Sequence, residues 1–326
     1  MSGPHPATAA VRLAVRTALG ECAPGDLVLV ACSGGADSLA LAAAVAFEAP
    51  RLGVRAGAVV VDHGLDPDSS AVARRAGARC DELGLAPIGW AQVHVATGGE
   101  GLEAAARDAR YRALDDAATR HGARFVLLGH TLDDQAEQVL LGLTRGAGAR
   151  SLAGMPRARD RYRRPLLAVS RQQTRASCVA EGLDWWDDPM NEDAAFTRVR
   201  ARRALVDLEC DLGPGVSAAL ARTADQLRDD ADLLDQLADD AVTALSEGPW
   251  SVDDLAALPR AVRTRVWRRL AIGAGAPAGQ VSTRHTEACD ALLTRWHGQG
   301  PVSLPGPLVA TRAGGRVSIG PPPPVE

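Results

Sequence analysis

The chain has 326 residues, of which 46% are apolar and only 3% aromatic, so it can form one large or two medium domains with a substantial core. Its 36 basic side chains are all arginine, because the sequence contains no lysine. A Walker-type phosphate loop and Schiff-base or pyridoxal chemistry each require a lysine of the chain, so these classes are excluded as intrinsic activities.

The net charge of -4 argues against a nucleic-acid partner, but the charge is unevenly distributed. Nine arginines stand against one acid between residues 145 and 175, and five arginines without an acid lie between residues 260 and 269. Such segregation favours basic patches that bind a polyanion. Arginines that merely solvate a surface would give the same pattern, so both interpretations stay open.

The six cysteines form no CxxC pair and lack the spacing of zinc ligands. The first thirty residues have neither the charged start nor the long apolar core of a signal peptide, and no apolar run is long enough to cross a bilayer. We therefore expect a cytoplasmic protein with reduced thiols and no membrane partner.

Strands and helices alternate through the first 145 residues. The apolar pattern predicts helices over 7–19, 37–48, 68–83, 101–121 and 131–144, and strands over 27–32, 54–62, 88–95 and 125–129. This alternation predicts an α/β fold with a mostly parallel, Rossmann-like sheet and helices on both faces. Ligands of such sheets bind at the carboxyl ends of the strands.

The second part of the chain has a different pattern. After a helix over 170–181, helices are predicted over 216–246, 252–273 and 281–298, and the alternation over 302–319 suggests a β-hairpin. We expect a smaller, mainly helical C-terminal domain that ends in this hairpin. The predicted division is a first domain over 1–204, a second over 205–320 and a disordered tail over 321–326.

The clearest motif is SGGADS at residues 33–38, between an apolar strand and a helix. Two glycines let the backbone approach a ligand, and the N–H groups and positive dipole end of the helix attract an anion. A plain strand-to-helix turn is the alternative for a lone SGG. The full string resembles the phosphate loop of the PP-loop ATP pyrophosphatases.

A second motif is GHTLDDQAE at residues 129–137. On a helix, His130, Asp134 and Glu137 share one face, where carboxylates could bind Mg²⁺ or the ammonium of an amine. A capping box formed by Thr131 and Asp134 explains the same residues without a ligand.

Two further groups are rich in arginine. Arg107 and Arg110 lie one turn apart on a predicted helix, where an ordinary salt-bridged surface is one explanation. The alternating arginines that follow could contact successive phosphates or could form an exposed face of a linker; they are Arg198, Arg200, Arg202 and Arg203.

Taken together, these motifs resemble one PP-loop family, the tRNA(Ile)-lysidine synthetases. The resemblance is carried by SGGADS (33–38), VDHGL (61–65), EAAARDARY (103–111), GHTLDDQAEQVLLGLTRGAG (129–148), RPLL (164–167) and DPMNEDAAFTRVRARR (188–203). The sequence departs from the family at Asp66, where an arginine is usual, and at Thr131, where many members have a second histidine.

The resemblance implies an ATP-dependent carbon–nitrogen ligase that joins free L-lysine to C2 of the wobble cytidine in the CAU anticodon of an isoleucine tRNA. ATP first adenylates the C2 oxygen and releases diphosphate, and the lysine amine then displaces AMP. By the same resemblance, ATP is held by Ser33, Gly34, Gly35, Ala36, Asp37 and Ser38.

The resemblance also assigns the remaining roles. Asp37 and His130 are the expected catalytic residues, and Asp37 is a candidate Mg²⁺ ligand. Lysine is bound by Arg110, Asp134 and Glu137, and tRNA by Arg198, Arg200, Arg202 and Arg203. A homodimer is a candidate assembly.

Two other functions remain open on the sequence. A tRNA thiolase of the same superfamily would use a similar loop but needs catalytic cysteines or an iron–sulfur cluster. A non-enzymatic nucleotide-binding module would keep SGGADS and would need none of the lysine-binding residues.

Overall fold

The computed structural model describes residues 3–62, 69–92, 102–146, 148–187, 193 and 195–322. The chain divides into two compact units, Met1–Gln226 and Leu227–Glu326, and the division lies within helix α9 (Val216–Ala244). The predicted functional boundary after residue 204 stays a prediction. Among the described residues, no helix combines the length and apolarity needed to cross a bilayer.

The first unit alternates helices with the strands of one sheet. Its strands are β1 (Leu27–Cys32), β2 (Arg55–Asp62), β3 (Ile88–Gln92), β4 (Phe125–Leu127), β5 (Ala158–Arg159) and β6 (Tyr162–Arg163). Its helices are α1 (Pro6–Leu19), α2 (Ala36–Glu48), α3 (Ser69–Glu82), α4 (Leu102–His121), α5 (Leu132–Thr144), α6 (Ala149–Leu152), α7 (Arg171–Ala180) and α8 (Thr197–Leu212). Short 3₁₀ turns occur at Pro50–Leu52 and Pro165–Ala168.

The strand order of this sheet is β3-β2-β1-β4-β6-β5. All neighbouring pairs are parallel except β5 and β6, so the predicted mostly parallel sheet is confirmed. Strand β1 pairs with β2 on one side and with β4 on the other. The chain adds β2 and β3 on one side of β1 and then adds β4 on the other side, so the order of strands reverses between β1 and β4. In an open α/β sheet, ligands usually bind in the crevice at the carboxyl ends of the strands at such a reversal.

Strand β1 is buried along its whole length because helices cover both faces of the sheet. Val28 and Val30 pack in a core that includes residues of α1, α2, α3 and α7. Leu27 and Leu29 point to the opposite face and join a second core with residues of α4. This two-sided burial explains why β1 is a continuous apolar run rather than an alternating one.

The second unit contains a small helical core and an antiparallel sheet. Its helices are α10 (Val252–Ala257), α11 (Arg260–Gly273) and α12 (Thr283–Thr294), in addition to the end of α9. The sheet has the order β7-β10-β9-β8, formed by β7 (Trp250–Ser251), β8 (Val302–Leu304), β9 (Leu308–Ala313) and β10 (Arg316–Gly320). The predicted hairpin is thus β9–β10, extended by a strand on each side.

The backbone conformation of two segments has local causes. The single helix expected over 252–273 is divided into α10 and α11 at Pro259, because proline lacks the N–H that would continue the helix. The alternating arginines after Thr197, for which the sequence left the backbone conformation open, lie on helix α8. Arginine and alanine are good helix formers, so local propensity favours the helix there.

The arginine cluster of residues 260–269 is not an open basic patch. Each of its side chains has acidic or backbone oxygen partners: Arg260 with Glu287, Arg263 with Asp290, Arg265 with Asp235, Arg269 with Asp235 and Asp239, and Arg268 with the carbonyls of Ala278 and Val281. The acid-rich face of α9 supplies two of these partners. The charge segregation in the sequence is therefore largely neutralised within the second unit.

The Arg263–Asp290 pair predicts a large stability effect in this unit. Both side chains are buried, and Arg263 also donates to the carbonyls of Ala256 and Leu258. Asp290→Ala leaves the guanidinium without its counter-charge, so we expect the free energy of unfolding to fall by about 3 kcal/mol or more. Chemical denaturation measures this, with Glu287→Ala as the control. That surface variant should cost about 1 kcal/mol or less, and equal losses would contradict the prediction.

Candidate active site

The phosphate loop lies where β1 ends and α2 begins. The hydroxyl of Ser38 organises it, because its Oγ accepts from the N–H of Ser33 at 3.1 Å and donates to the carbonyl of Gly35 at 2.9 Å. Gly34 has a φ of 86°, in the left-handed region where a side chain would be strained. The carbonyl of Gly34 accepts from the N–H of Trp186 at 3.0 Å. The loop is therefore held in a fixed turn.

The start of α2 is suited to an anion. Gly35 is the N-cap and provides no side-chain cap. The first N–H groups of a helix have no partner within the helix, and the positive end of the helix dipole lies at the same place. The SGGADS segment therefore has the strand–turn–helix geometry that phosphate binding requires.

The end of β4 approaches the same helix closely. A Cβ at Gly129 would lie 3.2 Å from the backbone carbonyl of Asp37 and 3.3 Å from Cα of Ser38. Only glycine fits at this position without displacing the backbone of the phosphate loop. The two predicted motifs, at 33–38 and 129–137, are therefore adjacent in space.

Helix α5 begins with the capping box that the sequence suggested. Thr131 is fully buried as the N-cap, and its N–H and Oγ donate to Asp134 Oδ2 at 2.8 and 3.1 Å. The other oxygen of Asp134 lies 2.9 Å from Arg171 Nη2. Capping therefore uses one carboxylate oxygen of Asp134, and the other faces a cation.

That cation belongs to α7 and links three acidic side chains. The Arg171 guanidinium lies 2.9 Å from Asp134, 3.4 Å from Glu137 and 3.7 Å from Asp37. Its backbone N–H donates to Asp133 Oδ2 at 2.7 Å. Arg171 is the first residue of α7, where the helix dipole disfavours a positive charge. The carboxylates at the starts of α2 and α5 compensate for that cost.

Glu137 is the most enclosed acid of this group, with a side chain only 3% exposed. Its Oε1 also accepts from Arg202 Nε of helix α8 at 2.8 Å. The acidic face predicted on α5 is thus real, and two arginines of the chain contact it.

Asp37 is a carboxyl group in an unfavourable environment for its charge. Burial raises its pKa to about 6, with Asp134 and Asp133 adding to the shift. A hydrogen bond from the Thr174 hydroxyl and the charge of Arg171 partly oppose this rise. A desolvated carboxyl beside a phosphate loop is a group whose charge a bound cation would stabilise.

The metal-free protein allows a direct test of this carboxyl. We expect the Asp37 carboxyl to titrate near pH 6 in carbon-detected NMR, with Asp37→Asn providing the assignment. Since the folded chain holds this proton more tightly than the unfolded chain, the stability that protonated Asp37 contributes is complete below its ordinary pKa of 3.8 and is lost as the pH rises through about 6. Thr174→Val removes the hydrogen bond to the charged form and should raise the midpoint further. Thr174→Ser is the control, and an unchanged midpoint in Thr174→Val would contradict the assignment.

His130 lies just before α5 and is neutral at physiological pH. Burial lowers its pKa to about 3, and the charges of Arg110, Arg164 and Arg198 contribute in the same direction against the opposing charge of Asp134. Its Nδ1 is buried and has no hydrogen-bond partner among the described residues. A neutral imidazole can accept a proton or a hydrogen bond from a ligand.

Three arginines surround His130 with little negative charge to balance them. Burial, and to a smaller extent Arg107 and Arg198, lower the pKa of Arg110. Arg164 is 4% exposed and donates to neutral acceptors, the carbonyl of Pro156 at 2.9 Å and the hydroxyl of Tyr111 at 3.2 Å. This region has an excess of positive charge and suits an anionic group such as a carboxylate.

Helix α8 separates the four arginines predicted to bind tRNA. Arg198 and Arg202 lie four residues apart on one face of the helix. Arg202 forms an ion pair with Glu137, and the charge of Arg198 lowers the pKa of His130. Arg200 and Arg203 lie on the exposed side of the helix. The four side chains therefore do not form one continuous row along which successive phosphates could bind.

Some residues of the predicted motifs lie outside the described part of the chain; among them are His63, Gly64, Asp66, Asp188, Pro189 and Asn191.

Comparison with known proteins gives the same picture over nearly the whole chain. Residues 11–209 match the PP-loop domain model, and residues 251–318 match the model of the TilS substrate binding domain. The tRNA(Ile)-lysidine synthase of Streptomyces coelicolor is 54% identical over 97% of this chain and 99% of its own length. The corresponding protein of Thermobifida fusca is 53% identical over 98% of this chain and 99% of its own length. The chain belongs to the tRNA(Ile)-lysidine synthase family.

The family assignment confirms the resemblance found in the motifs and makes this chain an ATP-dependent ligase. Among solved structures, the U34-tRNA thiolase NcsA from Methanococcus maripaludis, with its [4Fe-4S] cluster, has a TM-score of 0.57 over 68% of this chain and 79% of that chain. At 19% identity, this likeness shows a shared fold only.

Three residues of the candidate site are not predicted from the sequence: Arg171, Thr174 and Arg164. The sequence places Arg164 only within the RPLL turn and does not show that it is a buried cation. For Arg171 the sequence does hold a signal, since a positive charge directly after the N-cap Ser170 is unfavourable without an acidic partner. Nothing in the sequence indicates that Thr174 donates to Asp37, 137 residues away.

Proposed function

We propose that this chain ligates free L-lysine to C2 of the wobble cytidine of an isoleucine tRNA with a CAU anticodon. The observation that carries the proposal is the junction of the phosphate loop with the acidic face of α5, bridged by Arg171 between Asp37 and Asp134. Such an arrangement supports a reaction in two steps, with a nucleotide site beside an amine site. The near full-length similarity to lysidine synthases supports the same reaction.

In the first step, the C2 oxygen of cytidine attacks the α-phosphorus of ATP and diphosphate leaves. The turn from Ser33 to Ser38 would hold the phosphates through backbone N–H groups and the two serine hydroxyls. Asp37 fits Mg²⁺ that arrives with ATP, since Mg²⁺ is commonly held by one or two carboxylates together with phosphate oxygens. When bound, the ion neutralises charge on the phosphates. Thr174 would keep the Asp37 carboxylate oriented towards this region.

In the second step, the lysine ε-amine attacks C2 and AMP leaves with the former C2 oxygen. Asp134 and Glu137 would hold the ammonium, and Arg110 the carboxylate of the amino acid. The ε-ammonium must lose one proton before it can attack, and the nitrogen loses a second as the C–N bond forms. Because burial and the neighbouring arginines lower the pKa of His130 to about 3, this imidazole would accept a hydrogen bond from the reacting groups, and the protons would pass to water.

The arginines of α8 would contact the tRNA from the exposed side of the helix. We expect the double variant Arg200→Ala with Arg203→Ala to weaken tRNA binding and to make its salt dependence shallower by roughly one to two units of slope, since each phosphate contact releases bound counter-ions. Binding measured across a series of salt concentrations tests this. Arg79→Ala, a surface arginine of α3 paired with Glu82, is the control. An unchanged slope in the double variant would place these side chains outside the tRNA interface.

Two assays separate this proposal from the remaining alternatives. We expect diphosphate release from ATP only with the isoleucine tRNA present, and AMP release coupled to product when lysine is added. A tRNA thiolase would require a sulfur donor instead, and a nucleotide-binding module would release no diphosphate. Release that ignores tRNA would contradict the proposal.

A further inference from the structure

Arg171 contacts the side chains that are proposed to hold the amine of the substrate. Its guanidinium lies 2.9 Å from Asp134 Oδ1 and 3.4 Å from Glu137 Oε1. The second oxygen of Asp134 is used by the capping hydrogen bonds of Thr131, and Glu137 Oε1 also accepts from Arg202. Three of the four carboxylate oxygens that would bind an ammonium are therefore already hydrogen-bonded.

A lysine ammonium and the Arg171 guanidinium would compete for these oxygens. Two positive charges within about 4 Å repel one another by several kcal/mol where the surroundings are partly buried. Glu137 is 3% exposed and Arg171 is 19% exposed, so water screens this repulsion only weakly. Entry of an ammonium is therefore favoured when Arg171 gives up its contacts with Asp134 and Glu137.

The phosphate loop offers Arg171 another anionic partner. Its Nε is already 3.7 Å from Asp37 Oδ2, at the start of the helix where the nucleotide phosphates are expected. At this distance the pair is in electrostatic contact but is not hydrogen-bonded. A nucleotide phosphate placed beside Asp37 would bring new negative charge within reach of the guanidinium.

We propose that Arg171 occupies the amine site in the nucleotide-free protein and leaves it for the nucleotide phosphates when ATP binds. This inference rests on the proposed function. It makes lysine binding dependent on the nucleotide, so that the amine site opens only when the first step can proceed. Arg171 is thereby a positioning residue that sets the order of the two steps.

The test is calorimetric titration of the full chain with lysine, with and without a non-hydrolysable ATP analogue and Mg²⁺. For the unaltered chain we expect the analogue to strengthen lysine binding by about tenfold or more, because the competent state is a minor one without it. For Arg171→Ala and for Arg171→Gln, which keeps a polar side chain but removes the charge, we expect tight lysine binding without the analogue. Arg171→Lys keeps a cation at the site and should retain the dependence on the nucleotide.

Other outcomes would overturn the inference. If Arg171→Gln weakens lysine binding, or if the analogue leaves the affinity of the unaltered chain unchanged, Arg171 is a fixed counter-ion and not an exchangeable occupant. Guanidinium ion provides a second measurement. In Arg171→Ala it should occupy the position of the missing side chain and weaken lysine binding. Circular dichroism verifies that each variant is folded. Failure of the proposed function would be seen separately, as no transfer of lysine to tRNA by the unaltered chain.

Discussion

Replacing Asp37 by asparagine should lower tRNA-dependent diphosphate release by about a hundredfold or more, because the charge that supports the phosphates during transfer is lost. Asparagine keeps an oxygen that accepts from the Thr174 hydroxyl. It also removes a charge that burial disfavours, so the fold should be retained or slightly stabilised. Diphosphate release and thermal unfolding, measured on the same preparation, check both parts.

Asp184→Asn is a suitable control for this variant. Asp184 is 94% exposed and contacts Arg79 at 3.4 Å, so its replacement changes the net charge equally without touching the loop. We expect unchanged diphosphate release in the control. Normal ATP turnover in a folded Asp37→Asn protein would contradict the role given to Asp37.

Replacing Asp134 by asparagine should separate the two steps of the reaction. If Asp134 holds the lysine ammonium, its charge is needed for amine capture and not for adenylation. Adenylated tRNA should therefore still form, but the apparent affinity for lysine should fall by roughly tenfold or more, because a partly buried charged hydrogen bond is lost. Formation of adenylated tRNA without lysine is measured first, and the lysine dependence of product second.

The alternatives for Asp134 give different results. If it binds Mg²⁺ beside the phosphates, adenylation and diphosphate release should fail together. If it is only structural, in the capping box and paired with Arg171, asparagine should lower the free energy of unfolding and leave both steps intact, because the amide oxygen can still accept from Thr131 while the ion pair is lost. Asp133→Asn is the matched control. Its oxygen accepts from the backbone N–H of Arg171, which an amide oxygen can also do, and lysine dependence should stay near that of the unaltered chain.

Features encoded by neighbouring residues could be predicted from the sequence. The strand, turn and helix over 27–48 follow from an apolar run, two glycines and a helix-forming segment. The capping box at Thr131 and the common face of Asp134 and Glu137 follow from helical spacing. The position of both motifs at one edge of the sheet follows from the parallel topology.

The pairing of distant charges could not be predicted in this way. Arg171 and Asp134 are 37 residues apart, and their contact depends on how α7 packs beside α5. The arginines of 260–269 suggested an open basic patch, yet α9 supplies acids 30 residues before Arg265 and Arg269. Sequence gives the charge of each side chain, but tertiary packing decides which charges are neutralised and which remain available for a ligand.

The most direct test of the central claim is transfer of radiolabelled lysine to tRNA. The chain is incubated with ATP, Mg²⁺, labelled lysine and an isoleucine tRNA transcript with the CAU anticodon, and label is measured in the tRNA after precipitation. We expect incorporation that requires ATP, approaches one lysine per tRNA and is lost when the wobble cytidine is replaced by uridine. Absence of label in tRNA, with ATP, Mg²⁺ and folded protein all present, would contradict the account.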